Sequence, residues 1–458
     1  MPVPFDRLVT VPFRRFAPRF ARDPLNGIEL VESASAGGDI VRLGLGPLRP
    51  YVLSRPEHIE HVMAANPGNY VREGWLWEPL SRLVGDTSGS DGLWWKKREV
   101  YQQLVNGPAL RGFADDLAAT VVGAVDELTD RARGGAPINA SEEMPRIVYR
   151  AITKVLLGSR ISIPHADRLG DALRVASRAM QPRLLAPFVP ARMPWPKDRE
   201  FTRALATVNG IAYPIVEQAQ ADADKDGSPE GTDIVSRLLR ARTDDGQRFT
   251  RTDLRDGMVG LFTAGTETTG VAMAMVWAVL ENNPDVAARV YDEVGRVVGA
   301  GPVTGAHLPE LVYTRQVALE MLRIYPPGWM LPRMIKQDDV IGGVPVKAGG
   351  LIVLSPYLTH RLADVWPDPH RFDPDRHTPG STVVRERHRY AYLSFGAGPH
   401  ACVGRQFFLL EAVAIIAALV SRFRPRLAEP VSSKPRLGLT LGPSTPVRLI
   451  LDPLPASA

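Results

Sequence analysis

The chain has 458 residues, 45% of them hydrophobic and 23% charged, which is enough apolar material for a large core and excludes a disordered or fibrous chain. Its 55 Lys and Arg against 50 Asp and Glu leave a formal charge of +5, a mild excess with no nucleic-acid-binding motif beside it. One cysteine excludes a disulfide within the chain and fits a reducing, cytoplasmic setting.

Residues 1–23 are interrupted by Asp6, Arg7, Arg14, Arg15, Arg19 and Arg22, so no run approaches the ~20 apolar residues of a membrane anchor, and none is expected. Short β-like runs at 40–43 and 51–53, punctuated by Gly and Pro, predict a small sheet in a β-rich part spanning about residues 1–70. From about 108 to 300, periodic Ala- and Leu-rich segments predict long helices, with a polar interruption near 221–232. The stretch 257–280 is weakly charged, but Thr263, Thr266, Glu267, Thr268 and Thr269 crowd its centre, which suits a buried functional helix better than a membrane span. Thr and Gly are indifferent helix formers, and a Thr hydroxyl can bond back to a carbonyl one turn earlier, so the helix is expected to loosen around Ala264-Gly265-Thr266-Glu267-Thr268-Thr269. Glu320 and Arg323 are three apart and share one helix face. Strands are predicted within 340–354 and 437–451, and the Pro-, Arg- and His-rich stretch 364–390 reads as a meandering loop.

The lone cysteine lies in Phe395-Gly396-Ala397-Gly398-Pro399-His400-Ala401-Cys402-Val403-Gly404. Gly396, Gly398 and Gly404 permit tight backbone angles and close approach of a flat ligand. A helix beginning near Val403 would set the sulfur at the positive end of a helix dipole, where a thiolate is favoured. A structural zinc or an iron–sulfur cluster needs about four Cys or His ligands. One Cys with one nearby His leaves haem as the partner.

This Phe-Gly-x-Gly-x-His-x-Cys-x-Gly string resembles the cysteine loop of the cytochrome P450 superfamily. The resemblance extends over nearly the whole chain through the Ala-Gly-x-Glu-Thr-Thr helix, Glu320-x-x-Arg323 with Ile324-Tyr325-Pro326-Pro327, and Pro369-x-x-Phe372-x-Pro374-x-Arg376. It implies a single domain over 1–458 with a mainly α, smaller β (α+β) fold and a long central helix over haem b. Cys402 would be the axial ligand of the haem iron, with Phe395, Gly396 and Gly404 shaping its loop. His400, Arg333 and Arg98 would bind the haem propionates, Arg98 beside either Trp94 or Trp95. Gly265 would make room for dioxygen, and Glu267 and Thr268 would relay protons. Glu320, Arg323 and Arg376 would form a buried fork-bonded network beneath the cysteine loop.

The reaction implied is insertion of one oxygen atom from O2 into a lipophilic substrate, by hydroxylation or epoxidation, in secondary metabolism. Without a flavin- or dinucleotide-binding module in the sequence, NAD(P)H would act only through a separate donor, a ferredoxin with its reductase or a flavodoxin. Arg385, Arg387, Arg389 and Arg405, with Lys96 and Lys97, are candidates for its docking face. By resemblance the substrate pocket draws on 74–85, 184–189, Phe262, Thr263, 328–331 and 438–441. Trp75, Trp77, Trp329 and Met330 would narrow it around a terpenoid, polyketide, fatty acid or aromatic compound. The alternatives are a peroxide-using or rearranging haem-thiolate enzyme, against which the intact Glu267–Thr268 pair argues, and a non-catalytic haem-binding protein.

Overall fold

The computed structural model describes residues 8–12, 28–35, 37–45, 48–86, 92–132, 135–185, 193–226, 233–243, 245–432 and 434–454. Most of 1–23, and 186–189 of the expected substrate loop, lie outside the described residues. Helices account for 57% and strands for 12%, the mainly α architecture with a smaller β part that the sequence predicts. The chain forms two compact units, one from 1–74, 316–402 and 431–445, the other from 75–315, 403–430 and 446–458.

The first unit is built on a six-stranded sheet whose strands lie in the order Val9–Pro12, Ile40–Gly44, Tyr51–Leu53, Leu351–Leu354, Leu331–Ile335, Tyr70–Val71. Alternation along Tyr51–Leu53 sends Tyr51 and Leu53 to one apolar cluster and Val52 to another, so the strand is buried on both faces. The sequence places the strands at 40–43 and 51–53 well. The region 340–354 divides into a hairpin, Asp339–Ile341 with Val344–Val346, and the strand Leu351–Leu354. Gly342 and Gly343, at φ +52° and +82°, make the two-residue turn that only positive-φ residues allow.

The second unit is helical. Its long helices are Gly107–Ala132, Ala140–Leu157, Ile163–Leu185, Asp198–Asp226, the central helix Arg251–Glu281, Pro284–Val298 and Arg405–Val420. A three-stranded sheet orders Phe423–Leu427, Arg448–Pro453 and Ile138–Asn139. Two boundaries differ from expectation. Residues 221–226, read as a polar interruption, continue a helix, because their alternating Ala and Asp suit an exposed helical end. In the segment 437–451 regular strand begins only at Arg448, and the earlier residues turn back so that the Leu441 N–H donates to the Pro327 carbonyl.

The central helix is a single helix of 31 residues and does not break at its threonines. Thr263, Thr266 and Thr268 do bond back to the carbonyls of Val259, Phe262 and Ala264. Tight packing holds the helix together against this. A Cβ on Gly265 would lie 2.5 Å from Cδ1 of Ile152, and one on Gly270 would lie 2.7 Å from Pro145 Cα. Gly270 therefore lets the central helix close on the backbone of the helix Ala140–Leu157, and Gly265 makes room for the end of the Ile152 side chain. A Thr250–Asp253 capping box fixes its start.

Candidate active site

Glu320 and Arg323 are fully buried, and the guanidinium forks onto the carboxylate through two 2.8 Å bonds. The remaining Arg323 donors reach the carbonyls of His360, Pro369 and Arg371. Glu320 also accepts from the Asp373 amide and from His377 Nε2, both at 3.0 Å. Burial alone would raise this carboxyl, but His377 and Arg323 outweigh it and hold it below the usual carboxylate range. Arg376, expected as the third member of the fork, approaches only to 3.6 Å and gives its hydrogen bond to the Asp368 carbonyl. His377 takes its place, one residue along the 3-10 turn Pro374–His377.

The same helix, Val312–Ile324, holds the approach to the cysteine loop. The Tyr392 hydroxyl donates to Leu319 O, the Ser394 hydroxyl to Leu322 O, and His360 Nδ1 to Arg323 O, all at 2.9 Å. His360 Nε2 then accepts the Leu393 N–H at 2.8 Å, so this buried imidazole is a neutral spacer, its pKa pushed far down by desolvation. Residues 392–394 are thereby fixed on both sides.

The loop itself is a tight reversal. Gly396 and Gly398 have φ of +63° and +66°, and the Cys402 N–H donates to the Phe395 carbonyl at 2.7 Å. The Cys402 side chain is exposed. Arg72 donates to the His400 carbonyl at 3.3 Å, and the Phe395 ring lies 6.3 Å from that of Tyr392. The following helix begins at Arg405, two residues beyond Val403, with Gly404 as its N-cap. Gly404 has φ −81°, so the turn does not require a glycine there.

Arg333 lies in the strand Leu331–Ile335 with 5% exposure, paired in register with Ile352. It donates to the Pro332 carbonyl, and among the described residues no carboxylate pairs with it. Desolvation pushes its pKa down to about 10. A buried cation without an acid calls for an anion such as a propionate. No cluster of three or more His, Cys, Asp or Glu suited to a metal ion occurs among the described residues. A single exposed thiol and a buried unmatched arginine in one unit therefore fit a cofactor that brings its own metal coordination and its own carboxylates.

In the helical unit, Glu267, Thr263 and Thr266 line a cavity of about 440 Å³ whose far walls include Tyr149, Asp167, Asp171 and Ser177. Thr268 is not on that wall; its hydroxyl turns back to Ala264 O. Gly265 is explained by packing on Ile152 before any ligand is considered. Phe262, expected in the substrate pocket, is fully buried with its ring 5.8 Å from that of Tyr149, so it belongs to the core.

The helix Gly92–Leu104 carries Arg98, whose guanidinium lies 5.7 Å from the Trp94 ring, while Trp95 is 41% exposed. Trp94 is thus the tryptophan that Arg98 stacks on. Two members of the expected docking face are engaged elsewhere. Lys97 pairs with Asp253 at 3.3 Å, and Arg387 stacks on Trp366 and Tyr392. Two expected substrate segments do meet: Trp329 Nε1 donates to the Gly438 carbonyl at 3.1 Å.

The mixed fold, the cysteine loop and the threonine-bearing central helix together define a haem-thiolate oxygenase class. A family model described as cytochrome P450 matches residues 25–450, and the chain belongs to the cytochrome P450 family. As a P450 monooxygenase it binds haem b and uses O2, a lipophilic substrate and a redox partner that passes on electrons from NAD(P)H. It is 32% identical over 406 residues to cyclooctat-9-en-7-ol 5-monooxygenase of Streptomyces melanosporofaciens, covering 87% of this chain and 85% of that one. It is 30% identical over 452 residues to cyclooctatin synthase of the same organism, covering 97% and 94%. Pentalenene oxygenase of Streptomyces avermitilis is 26% identical over 414 residues, covering 90% and 89%. No helix among the described residues is long and apolar enough to cross a membrane.

Proposed function

We propose that this P450 oxygenates a cyclic terpenoid in secondary metabolism, with Cys402 as the axial thiolate. The observation that carries the site assignment is Arg333, a buried guanidinium with no acid paired to it among the described residues, in the same unit as the exposed Cys402 thiol. Arg333, His400 and, from the helix Gly92–Leu104, Arg98 hold the propionates. Gly396 and Gly398 shape the turn around the sulfur, the Phe395 carbonyl accepts the Cys402 N–H across it, and Gly404 caps the helix that follows. When bound, haem supplies dioxygen activation, placing one oxygen atom in the substrate and releasing the other as water for two electrons and two protons.

The chain's own residues bind the substrate and deliver the protons. Glu267 takes up protons at its carboxylate from the cavity that it lines with Arg146, Asp167 and Ser177. The Thr268 hydroxyl, now bonded to Ala264 O, passes a proton on at its Oγ1. The segment around Trp329, tied to Gly438, orients the substrate and excludes water from it. The terpenoid class is supported by the similarity to cyclooctat-9-en-7-ol 5-monooxygenase and pentalenene oxygenase. A ferredoxin or flavodoxin supplies electrons one at a time.

The carbon monoxide complex of the reduced protein tests the ligand: it should show a strongly red-shifted Soret band that Cys402→Ser abolishes. A folded, haem-loaded sample lacking that band would undo the assignment. Cyclic sesquiterpene and diterpene hydrocarbons and alcohols, incubated with a surrogate ferredoxin, its reductase and NADPH, should yield hydroxylated products. Turnover of linear fatty acids with none of these terpenoids would refute the substrate class.

A further inference from the structure

The bed on which the cysteine loop rests is itself unusual. Residues His61–Ala65 form one π-helical turn, closed by the Asn66 N–H donating to the His61 carbonyl at 2.9 Å. Such turns are rare because the extra residue spoils helical hydrogen-bond geometry, and they recur where a backbone group must be placed for function. Here the turn presents the Met63 carbonyl to Gly398. A Cβ built on Gly398 would lie 2.0 Å from that oxygen, so nothing larger than glycine fits. Met63 Cε also reaches 3.9 Å from the corresponding position on Gly396. The π-turn therefore packs tightly on Gly398 and brings the Met63 side chain beside Gly396, the two positive-φ glycines that shape the loop.

A single carboxylate pins this turn. Asp339 Oδ2 accepts from His61 Nε2 at 2.9 Å, Asn66 Nδ2 at 3.0 Å and the Tyr70 hydroxyl at 2.7 Å, while Oδ1 takes the Val340 N–H at 2.7 Å. Its donors bracket the turn, one at its first residue and one just beyond its last. Desolvation pushes the Asp339 carboxyl up, but these donors outweigh it and keep it ionised far below the usual range.

We propose that Asp339, acting through the π-helical turn His61–Ala65, is a positioning residue for the cysteine loop, fixing Gly396 and Gly398 and hence the placement of Cys402. The catalytic meaning of this rests on Cys402 being the axial thiolate. The mechanical coupling does not. Nothing in the hairpin Asp339–Ile341 with Val344–Val346 needs three side-chain donors from 61–70 for its own pairing, so their convergence serves the turn.

The test is amide hydrogen exchange on the haem-loaded Asp339→Ala protein. Exchange in peptides spanning 394–402 should quicken by about tenfold, the order expected for losing a charge-assisted hydrogen bond, while the strand Leu351–Leu354 stays protected. The red-shifted Soret band of the reduced carbon monoxide complex should also decay faster in mild denaturant, and Asp339→Glu should recover part of both. Should Asp339→Ala fail to load haem, His61→Phe, which removes one donor, carries the same test with a smaller change at the same peptides. Faster exchange confined to 339–346, or spread evenly over the chain, would overturn the proposal. If Cys402→Ser kept the red-shifted band, the thiolate reading would fall while the exchange result still decided this one.

Discussion

The two units hold their functional residues by different balances of the same two means. Around the cysteine loop, position is set by buried charge and directed hydrogen bonds, with Arg323 spending its donors on Glu320 and three carbonyls. Around the central helix, position is set by missing atoms, with Gly270 letting two helices close on each other and Gly265 making room for the end of Ile152. Hydrogen bonds fix direction and fail when one partner is lost. Steric contact fixes distance and fails when an atom is added. A loop that must aim one sulfur leans on the first and adds the second where Gly398 meets Met63 O, and a helix that must keep its line through back-bonding threonines leans on the second.

Substitutions that reverse each strategy test the contrast. The largest effect belongs to Glu320→Ala, which strands the buried Arg323 and should cost about 3–5 kcal/mol and abolish haem incorporation, read as the haem-to-protein ratio. A stable holoprotein with full haem content would show that the loop is not held this way. Next is Gly265→Ala, whose new Cβ meets Ile152 Cδ1, the rotatable end of that side chain, and should cost about 1 kcal/mol in denaturant unfolding. Ile152→Val deletes that very atom, so the double variant should regain most of the loss; failure to recover would mean that Gly265 serves something other than packing.

Acid should weaken the cysteine-loop unit in two stages. His360 and His377 have pKa values lowered by desolvation, so the unfolded chain binds protons that the folded one refuses, and stability falls as pH drops below 6.5. Each histidine weakens the fold over the interval between 6.5 and its own depressed folded value. Glu320, held below its ordinary 4.5, adds a second loss as pH falls beneath that value. Thermal unfolding followed at decreasing pH measures both, and a flat profile through 6.5 would contradict the neutral-spacer role of His360. The smallest stability effect should come from Thr268→Ala, within about 0.5 kcal/mol. That variant should instead divert NADPH-derived electrons to peroxide, and unchanged coupling would remove Thr268 from proton delivery.

Much of this was legible in the sequence because it is local. The reversal from Phe395 to Cys402 needs glycines at fixed spacing, and Glu320 with Arg323 share a face by helical period alone. The strands at 40–43 and 51–53 announce themselves by composition. What was not legible depends on partners brought from elsewhere in the chain. Nothing near Arg376 says that His377 will take the Glu320 carboxylate, and nothing near Gly265 names Ile152. His360, which joins the Glu320 helix to the cysteine loop, carries no motif of its own. Charge counting misled for the same reason, since Lys97 and Arg387 look solvent-bound until Asp253 and Trp366 appear beside them. Which tryptophan Arg98 stacks on yields only to geometry, because adjacent helical residues point about 100° apart.

Arg333 has a consequence for the cell that makes this protein. Under the role proposed for Arg333, newly synthesised chains bury a cation whose counter-charge, the haem propionates, another biosynthetic line delivers, so their folding equilibrium would depend on the concentration of haem. A host short of iron or of tetrapyrrole precursors should accumulate protease-sensitive chains rather than a dormant reserve, and feeding the precursor during expression should raise yield more than slowing synthesis does.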